Sequence, residues 1–232
     1  MCGRYALKTS TPELARMLGV DMSCVPSAGA ELEPSYNVAP SQPVVSCHLG
    51  RMGDRRLARM RWGLIPSWSK DGASKFSMIN ARAETITEKP SYRTPFRFRR
   101  CLIPADGFYE WQKIGERKQP HFIRMRSREP FAFAGIWERW KPSEGTAVVS
   151  CSVITTTAND TLAPIHPRMP VILERDSFDA WMDPKLTDAE VLSAYLKPYP
   201  ADAMESHPVS SFVNKPINND ERCWQALTLD QP

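Results

Sequence analysis

The second residue of the chain carries the side chain best suited to covalent chemistry. The chain begins Met1-Cys2, and methionine aminopeptidases remove an initiator Met that precedes a small residue. The new terminus would present an α-amine and a thiol two carbons apart, a pair that closes a five-membered thiazolidine ring on an aldehyde. These groups titrate near ~7.7 and ~8.5, so reactive forms exist at neutral pH. Cys2 is therefore a candidate nucleophile, unless it merely follows the start codon.

Two titratable residues occur in surroundings that favour proton transfer. Glu110 stands between Tyr109 and Trp111, and partial desolvation by these rings would raise its pKa toward neutrality. The alternative is an exposed Glu that alternates with buried aromatic residues. His166 lies in a segment with three prolines, residues 163–170, which would hold the imidazole in one place. Both are candidate acid–base groups, although a lone His is usually structural.

A short segment in the first half of the chain alternates polar and small residues. Asn80, Arg82 and Glu84 alternate with Ala81, Ala83 and Thr85. In an extended strand, alternate side chains point to the same face. The pattern predicts either a solvated strand face or the lining of a site.

The positive charge of the chain is concentrated in one third of it. Residues 50–101 contain thirteen Lys or Arg and four Asp or Glu, a net charge of +9, whereas the whole chain carries +4. The densest group consists of Arg93, Arg97, Arg99 and Arg100. Arg is suited to bidentate phosphate contacts, so the region predicts either a positively charged face for a polyanion or a generic solvated surface, and composition does not separate the two.

The segment Trp62–Trp68 contains two Trp, a Gly and a Pro in seven residues, which predicts a stiff aromatic loop. Such a loop either fills the core, the commoner role of Trp, or stacks against bases.

Composition excludes several classes of protein. No apolar run approaches the ~20 residues of a membrane span, and the N-terminus has no signal-peptide pattern. The six Cys are scattered without a CxxC pair, which argues against a disulfide framework or a zinc site. We expect no metal and no cofactor.

The chain of 232 residues shows no repeat or linker and is predicted to form one domain, 1–232. Periodicity predicts a short helix beginning at Ser10 or Thr11, a second that contains Phe178, Trp181 and Met182, and a third beginning with a capping box at Thr187. The predicted strands cover residues 44–49, 57–62, 101–111 (a strand, a turn and a strand), 121–126, 131–137, 146–155 and 207–213.

Six segments together resemble the SOS-response-associated peptidase family, whose members are also described as abasic-site DNA–protein crosslinking proteins. They are residues 1–5, 36–40 (Tyr-Asn-Val-Ala-Pro), 62–64 (Trp-Gly-Leu), 79–85, 107–111 (Gly-Phe-Tyr-Glu-Trp) and 166–170 (His-Pro-Arg-Met-Pro). The resemblance implies an α+β fold, a single domain with curved, barrel-like antiparallel β-sheets flanked by short helices. It also implies a positive groove for single-stranded DNA.

The resemblance assigns roles to individual residues. Cys2 would capture the aldehyde of a ring-opened abasic deoxyribose, with Glu110, His166 and Asn80 as the other catalytic residues. The implied DNA-binding residues are Arg4, Asn37, Pro40, Trp68, Arg82, Arg97 and Arg99, with Arg100 a further phosphate-binding candidate.

The resemblance also implies partners and location. The partner would be single-stranded DNA with abasic sites, including strand junctions, bound by a monomer without a membrane. The short chain resembles bacterial members, so we expect a cytoplasmic protein that associates with the nucleoid when bound to DNA. Strand cleavage as an AP lyase is an available side reaction, and Met1 would be removed by self-cleavage or by an aminopeptidase.

Two other functions remain open at this point. A cysteine peptidase acting on other proteins would use Cys2 as nucleophile and His166 as base. A non-catalytic reader of modified bases would use the Trp62–Trp68 loop and the arginines.

Overall fold

Strands form where apolar residues alternate with polar ones or run together, and helices are few and short. The computed structural model describes residues 2–25, 33–72 and 78–227. In these ranges the strands are β1 (Tyr5–Leu7), β2 (Ser35–Val38), β3 (Pro43–Leu49), β4 (Arg55–Trp62), β5 (Asn80–Arg82), β6 (Arg100–Ala105), β7 (Gly107–Ile114), β8 (Arg117–Met125), β9 (Phe131–Trp140), β10 (Val148–Thr157), β11 (Arg168–Pro170), β12 (Ile172–Leu173) and β13 (Met204–Pro208). The α-helices are α1 (Thr11–Leu18), α2 (Pro90–Phe98), α3 (Phe178–Met182) and α4 (Ala189–Ser193).

Five strands close into a barrel. β4 pairs with β3, β3 with β6, β6 with β9 and β9 with β10, and β10 returns to β4. Within the ring, the pairing of β10 with β4 is parallel and the others are antiparallel. β5 lies outside the ring and pairs in parallel with β10. A closed ring has no free strand edge, and a ring of so few strands has room inside only for side chains. This barrel is the rigid body to which the other elements attach.

A second sheet packs on the barrel. Its strand order is β13-β8-β7-β1-β2, and all four pairings are antiparallel. Tyr5 of β1 and Phe108 of β7 turn toward the barrel, where each ring lies 5.9 Å from the ring of Phe133 on β9. Tyr109 belongs to a separate cluster on the opposite face of the sheet. Because side chains alternate along a strand, Glu110 lies on the barrel side, as Phe108 does.

The sequence-based α+β expectation, with barrel-like sheets and short helices, is confirmed. The predicted strands at 44–49 and 57–62 are found in β3 and β4, and the predicted turn between two strands at 101–111 is found between β6 and β7. Two predictions differ from the structure: the extended segment predicted at 79–85 ends early, because β5 stops at Arg82 where a 3-10 turn begins, and the last strand lies at Met204–Pro208, earlier than the predicted 207–213. Beyond β13, Val209 forms a single β-bridge with Ala226, and a short 3-10 segment follows at Ser211–Asn214.

The helix starts show how local sequence sets element boundaries. Ser10 precedes α1 as predicted, and the Glu13 carboxylate accepts from its backbone N–H at 3.2 Å and from its hydroxyl at 2.8 Å. The predicted cap at Thr187 is wrong. Asp188 caps α4 instead, because its carboxylate accepts the N–H groups of Glu190 and Val191 at 2.8 and 3.3 Å.

The turn that aligns β7 beside β1 depends on Gly107. A Cβ atom there would lie 2.7 Å from the Ile123 carbonyl oxygen and against the Phe122 ring, and backbone cannot move away cheaply. We expect Gly107→Ala to lower the free energy of unfolding by about 2 kcal/mol or more, measured by urea denaturation. Gly53→Asn is the control, because nothing lies within 4 Å of its Cβ position and Asn tolerates the positive φ of +82°. Equal losses in both variants would contradict this account.

Candidate active site

Cys2 lies buried at the junction between the two sheets. It precedes β1, and its side chain is part of the core that the barrel and the second sheet share. The Asn80 side-chain amide donates to the Cys2 carbonyl oxygen at 2.8 Å. Asn80 is itself held, because β5 pairs with β10 and the Tyr92 hydroxyl donates to its backbone oxygen at 3.1 Å. The N-terminal segment is thus tied to the barrel by one amide.

Glu110 is buried beside Cys2. The hydrogen bond from Tyr109 N–H to the Arg4 carbonyl, 3.0 Å, extends the pairing of β7 with β1 and brings Glu110 toward the N-terminus. Only 2% of Glu110 is exposed, and burial raises its pKa to about 7. Burial and then the Glu110 charge raise the pKa of the Cys2 thiol. The exposed-Glu alternative is therefore wrong, and Glu110 can both accept and donate a proton near neutral pH.

His166 is half-buried in the loop before β11. Its Nδ1 accepts the Arg168 backbone N–H at 3.0 Å, and the Arg168 carbonyl lies 3.1 Å from the same nitrogen. Nδ1 accepts in the first contact when it is unprotonated and donates in the second when it carries a proton, so it has a backbone partner in either state. When Nδ1 is unprotonated, the neutral ring carries its proton on Nε2. Burial lowers the pKa of His166, which favours this neutral form.

The His166 loop is attached to both sheets. Gln112 of β7 donates to the Pro164 carbonyl at 3.0 Å, and the Ala158 N–H donates to the Pro167 carbonyl at 3.0 Å. Arg168 binds the Glu84 carboxylate with both terminal nitrogens and donates to the Thr155 carbonyl at 2.7 Å. Glu84 lies in a 3-10 turn and stabilises the His166 loop through Arg168. It does not share a strand face with Asn80.

Arg4 and Asn37 are occupied by contacts within the protein. One nitrogen of Arg4 donates to the Asn37 side-chain oxygen and to the Val213 carbonyl, both at 2.8 Å, and its guanidinium lies over Trp111. Asn37 is buried, and its amide nitrogen also contacts three backbone carbonyls at 2.6–3.1 Å, the farthest along the chain being that of Asn218. These two residues join β1 and β2 to the C-terminal segment.

The arginines of the basic region divide into exposed and internal ones. Arg82 and Arg97 are exposed, and Arg82 follows Asn80 by two residues on β5. Arg99 binds the buried Glu138 at 2.7 Å. Arg100 is buried, and within the described ranges its side chain donates to backbone carbonyls alone, those of Phe96, Arg97, Trp181, Asp183 and Leu186. Arg100 is therefore structural, and the expectation that it binds phosphate is wrong.

The two Trp residues of the aromatic loop lie in different surroundings, one in the core and one at the surface. Trp62 is fully buried and donates to the Ile79 carbonyl at 2.9 Å, whereas 66% of Trp68 is exposed. The half-buried Pro40 precedes Ser41, whose N–H donates to the Trp62 carbonyl at 2.8 Å. The structure thus brings Pro40 to the base of the loop that carries Trp68.

Several residues that shape the site carried no clear sequence signal. Tyr92 and Gln112 fix Asn80 and the His166 loop, and neither belongs to a recognisable chemical pattern. Among the described residues, no three His, Cys, Asp or Glu are grouped so as to hold a metal ion. Within the same ranges, no helix is long and apolar enough to cross a membrane. Met1, whose removal the sequence predicts, lies outside the described residues.

Fold and site define a class of protein in which a cysteine at the chain start is held between a barrel and a second sheet, next to a buried carboxylate. The family model described as SOS response associated peptidase (SRAP) matches residues 1–216. The chain belongs to this family.

Relatives and solved structures agree with this assignment over nearly the whole chain. Abasic site processing protein YoqW of Bacillus subtilis is 45% identical over 220 residues, 94% of this chain and 96% of that protein. Abasic site processing protein HMCES of Gallus gallus is 36% identical over 230 residues, 86% of this chain and 68% of that protein. A solved structure from Bacteroides thetaiotaomicron superposes with a TM-score of 0.84 at 28% identity, covering 98% of this chain and 100% of that one.

The buried carboxyl of Glu110 should make the stability of the protein depend on pH. Its pKa of about 7 exceeds the ~4.3 of an unfolded Glu, so the folded state binds more protons between these values and stability falls as pH rises through them. Glu110→Gln removes this titration. From pH 4 to pH 8, the free energy of unfolding of the variant should therefore rise relative to wild type, by an amount on the order of 3 kcal/mol.

Urea denaturation at a series of pH values measures this difference, and parallel curves for the two proteins would contradict it. His166→Ala is a control of opposite sign. Because burial lowers the pKa of His166, its protonation destabilises the folded state, and wild type should lose stability relative to that variant as pH falls below ~6.5.

Proposed function

We propose that this protein processes abasic sites in single-stranded DNA by forming a covalent thiazolidine between Cys2 and the ring-opened deoxyribose. The substrate would be single-stranded DNA, alone or at a strand junction, bound by one copy of the protein. Relatives over nearly the full length of the chain carry the name abasic site processing protein, which supports the class of reaction.

One observation carries the chemical part of the proposal. The backbone of Cys2 is held by Asn80 at 2.8 Å, next to a buried Glu110 whose pKa is about 7. A free α-amine and a thiol at this position would have a proton acceptor and donor beside them at neutral pH. This combination of amine, thiol and carboxyl group favours covalent addition to an aldehyde over non-covalent binding of DNA.

The first step would form a Schiff base. Glu110 as carboxylate accepts a proton from the α-ammonium of Cys2, and the amine attacks C1′ of the aldehyde. The resulting carbinolamine loses its hydroxyl as water, with the proton returned from Glu110. His166, neutral and protonated on Nε2, would hydrogen-bond the sugar oxygen that is released when the ring opens.

The second step would close the ring. The Cys2 thiol adds across the C=N bond, its sulfur to C1′ and its proton, passed through Glu110, to nitrogen. The net reaction joins amine, thiol and aldehyde with loss of one water and needs no oxidant. Since burial raises the pKa of the thiol, the amine rather than a thiolate should react first. Proton loss from C2′ of the Schiff base would give strand cleavage as a side reaction.

The proposal requires a free α-amine, and so the removal of Met1. Self-cleavage by Cys2, in line with the peptidase named in the family description, would supply it, and so would an aminopeptidase. The alternative, a cysteine peptidase acting on other proteins, would instead show peptide turnover in trans without DNA. A reader of modified bases would leave no covalent product.

DNA contacts are proposed for the exposed candidates. Arg82 lies two residues beyond Asn80 and would bind a phosphate beside the lesion, with Arg97 as a second contact. Trp68 is exposed and would stack on a base or exclude a paired strand. Arg4, Asn37 and Arg99 would act mainly by holding the elements that carry these side chains.

The crosslink itself is the first test. Protein is incubated with a single strand that contains one abasic site, then digested, and the adduct is mapped by mass spectrometry. Before digestion, we expect an adduct with the mass of the strand plus protein minus one water. After digestion, the adduct should map to residue 2, and Cys2→Ala should give no adduct. An adduct elsewhere, or full yield from Cys2→Ala, would falsify the proposal.

Glu110→Gln and His166→Ala test the acid–base roles in the same assay. Each should slow crosslinking by about 100-fold, the scale of a lost general acid or base, while melting temperature shows that the variant is folded. Unchanged rates in folded variants would reduce both residues to structural roles.

The exposed arginines should account for part of the salt dependence of DNA binding. For undamaged single strands, Arg82→Gln and Arg97→Gln should each reduce the slope of log K against log salt concentration by about 0.7, because one phosphate contact is lost. Binding is measured by fluorescence anisotropy at several salt concentrations. Arg222→Gln is the control, since Arg222 already binds Asp220 at 2.6 Å. A similar change in all three slopes would mean that net charge, not a particular contact, is responsible.

A further inference from the structure

Gln112 connects the strand of Glu110 to the loop of His166. Its amide nitrogen donates to the Pro164 carbonyl at 3.0 Å, and its amide oxygen lies 3.2 Å from His121 Nε2. Gln112 follows Glu110 by two residues on β7, so both side chains face the barrel side. His121 on β8 is the direct cross-strand partner of Glu110. Gln112 and His121 therefore lie beside Glu110 on one sheet face, and Gln112 reaches the loop that carries His166.

The orientation of the Gln112 and His121 side chains follows from which of their atoms donate hydrogen bonds and which accept them. A carbonyl oxygen only accepts, so the NH2 group of Gln112 must face Pro164 and its oxygen must face His121. His121 must then carry its proton on Nε2, which leaves Nδ1 unprotonated. His121 Nδ1 is buried without a hydrogen-bond partner in the described ranges, so no other contact there opposes this tautomer. Burial lowers the pKa of His121 and keeps the ring neutral.

We propose that Gln112, oriented by His121, is a positioning residue that holds His166 at a set distance from Glu110. This inference rests on the proposed function. Cys2 and Glu110 are placed by the pairing of β1 with β7, whereas His166 arrives on a separate loop. The Gln112–Pro164 hydrogen bond joins that loop to β7. His166, the proposed donor to the sugar oxygen, therefore moves together with Glu110, the proposed proton acceptor at the amine.

The expected consequence is a slower chemical step without weaker DNA binding. A displacement of about 1 Å in a catalytic group can change a rate by up to 100-fold, and one lost hydrogen bond permits a fraction of that movement. Gln112 is not among the residues assigned to DNA contacts, so its loss should leave the half-saturating DNA concentration unchanged.

The test measures the first-order rate constant of crosslinking at saturating abasic single-stranded DNA, together with the half-saturating DNA concentration. Gln112→Met keeps the length of the side chain but not its amide, and it should lower the rate constant by about tenfold. Gln112→Glu keeps an oxygen for His121 but sets a second oxygen against the Pro164 carbonyl, and it should show the same loss. The Glu variant decides the question if the Met variant does not fold.

A double-mutant cycle separates positioning from a general structural role. If Gln112 acts through His166, Gln112→Met should cause no further loss in a His166→Ala background. Gln119→Met is the matched control, because Gln119 is the cross-strand partner of Gln112 but its amide donates to the Pro120 and Val209 carbonyls at 2.8 and 2.9 Å. That variant should crosslink at the wild-type rate.

Each outcome decides the inference. No loss of rate in folded Gln112 variants, an equal loss in both backgrounds, or a change confined to the half-saturating concentration would overturn the positioning role. None of these results affects the proposed function, which fails only if wild-type protein forms no adduct at residue 2.

Discussion

The burial of the Glu110 carboxyl between the second sheet and the barrel is the constraint on which the rest of the site depends. A buried carboxylate is unfavourable unless it is compensated, and here burial raises the pKa to about 7 instead of leaving a fixed charge. This value requires that β7 present the side chain inward and that β1 run beside it. The same pairing places Cys2 next to Glu110, so one strand alignment brings together the proposed nucleophile and the proposed proton-transfer group.

The barrel contributes rigidity by fixing the backbone around the N-terminal segment. Asn80 and the His166 loop approach from β5 and β11, both of which pair with β10. Backbone groups do much of the holding: the Cys2 carbonyl accepts from Asn80, and Arg168 supplies both contacts to His166 Nδ1. Groups fixed in this way lose little further freedom when a substrate binds, which favours reactions that require accurate alignment.

The basic region shows that composition alone overstates the number of charges available to a polyanion. Arg100 and Arg99 lie in the densest basic cluster, yet one is buried among backbone carbonyls and the other binds Glu138. Arg168 likewise holds a loop through Glu84. Arg82 and Arg97 remain exposed. An arginine side chain donates equally well to a carbonyl, a carboxylate or a phosphate, so its residue type does not reveal which of these it meets.

The sequence by itself determined the candidate reactive groups and most strand positions, because a 1,2-aminothiol would follow from residue order once Met1 is removed and alternation follows from neighbouring residues. The six motif segments likewise identified the family. Tertiary structure decided that Glu110 is buried, that Trp62 is internal whereas Trp68 is exposed, and that Gln112 reaches the His166 loop. These facts depend on contacts between residues far apart in the chain, such as Asn80 with Cys2 or Gln112 with Pro164, and local patterns contain no information about which distant partner closes a hydrogen bond.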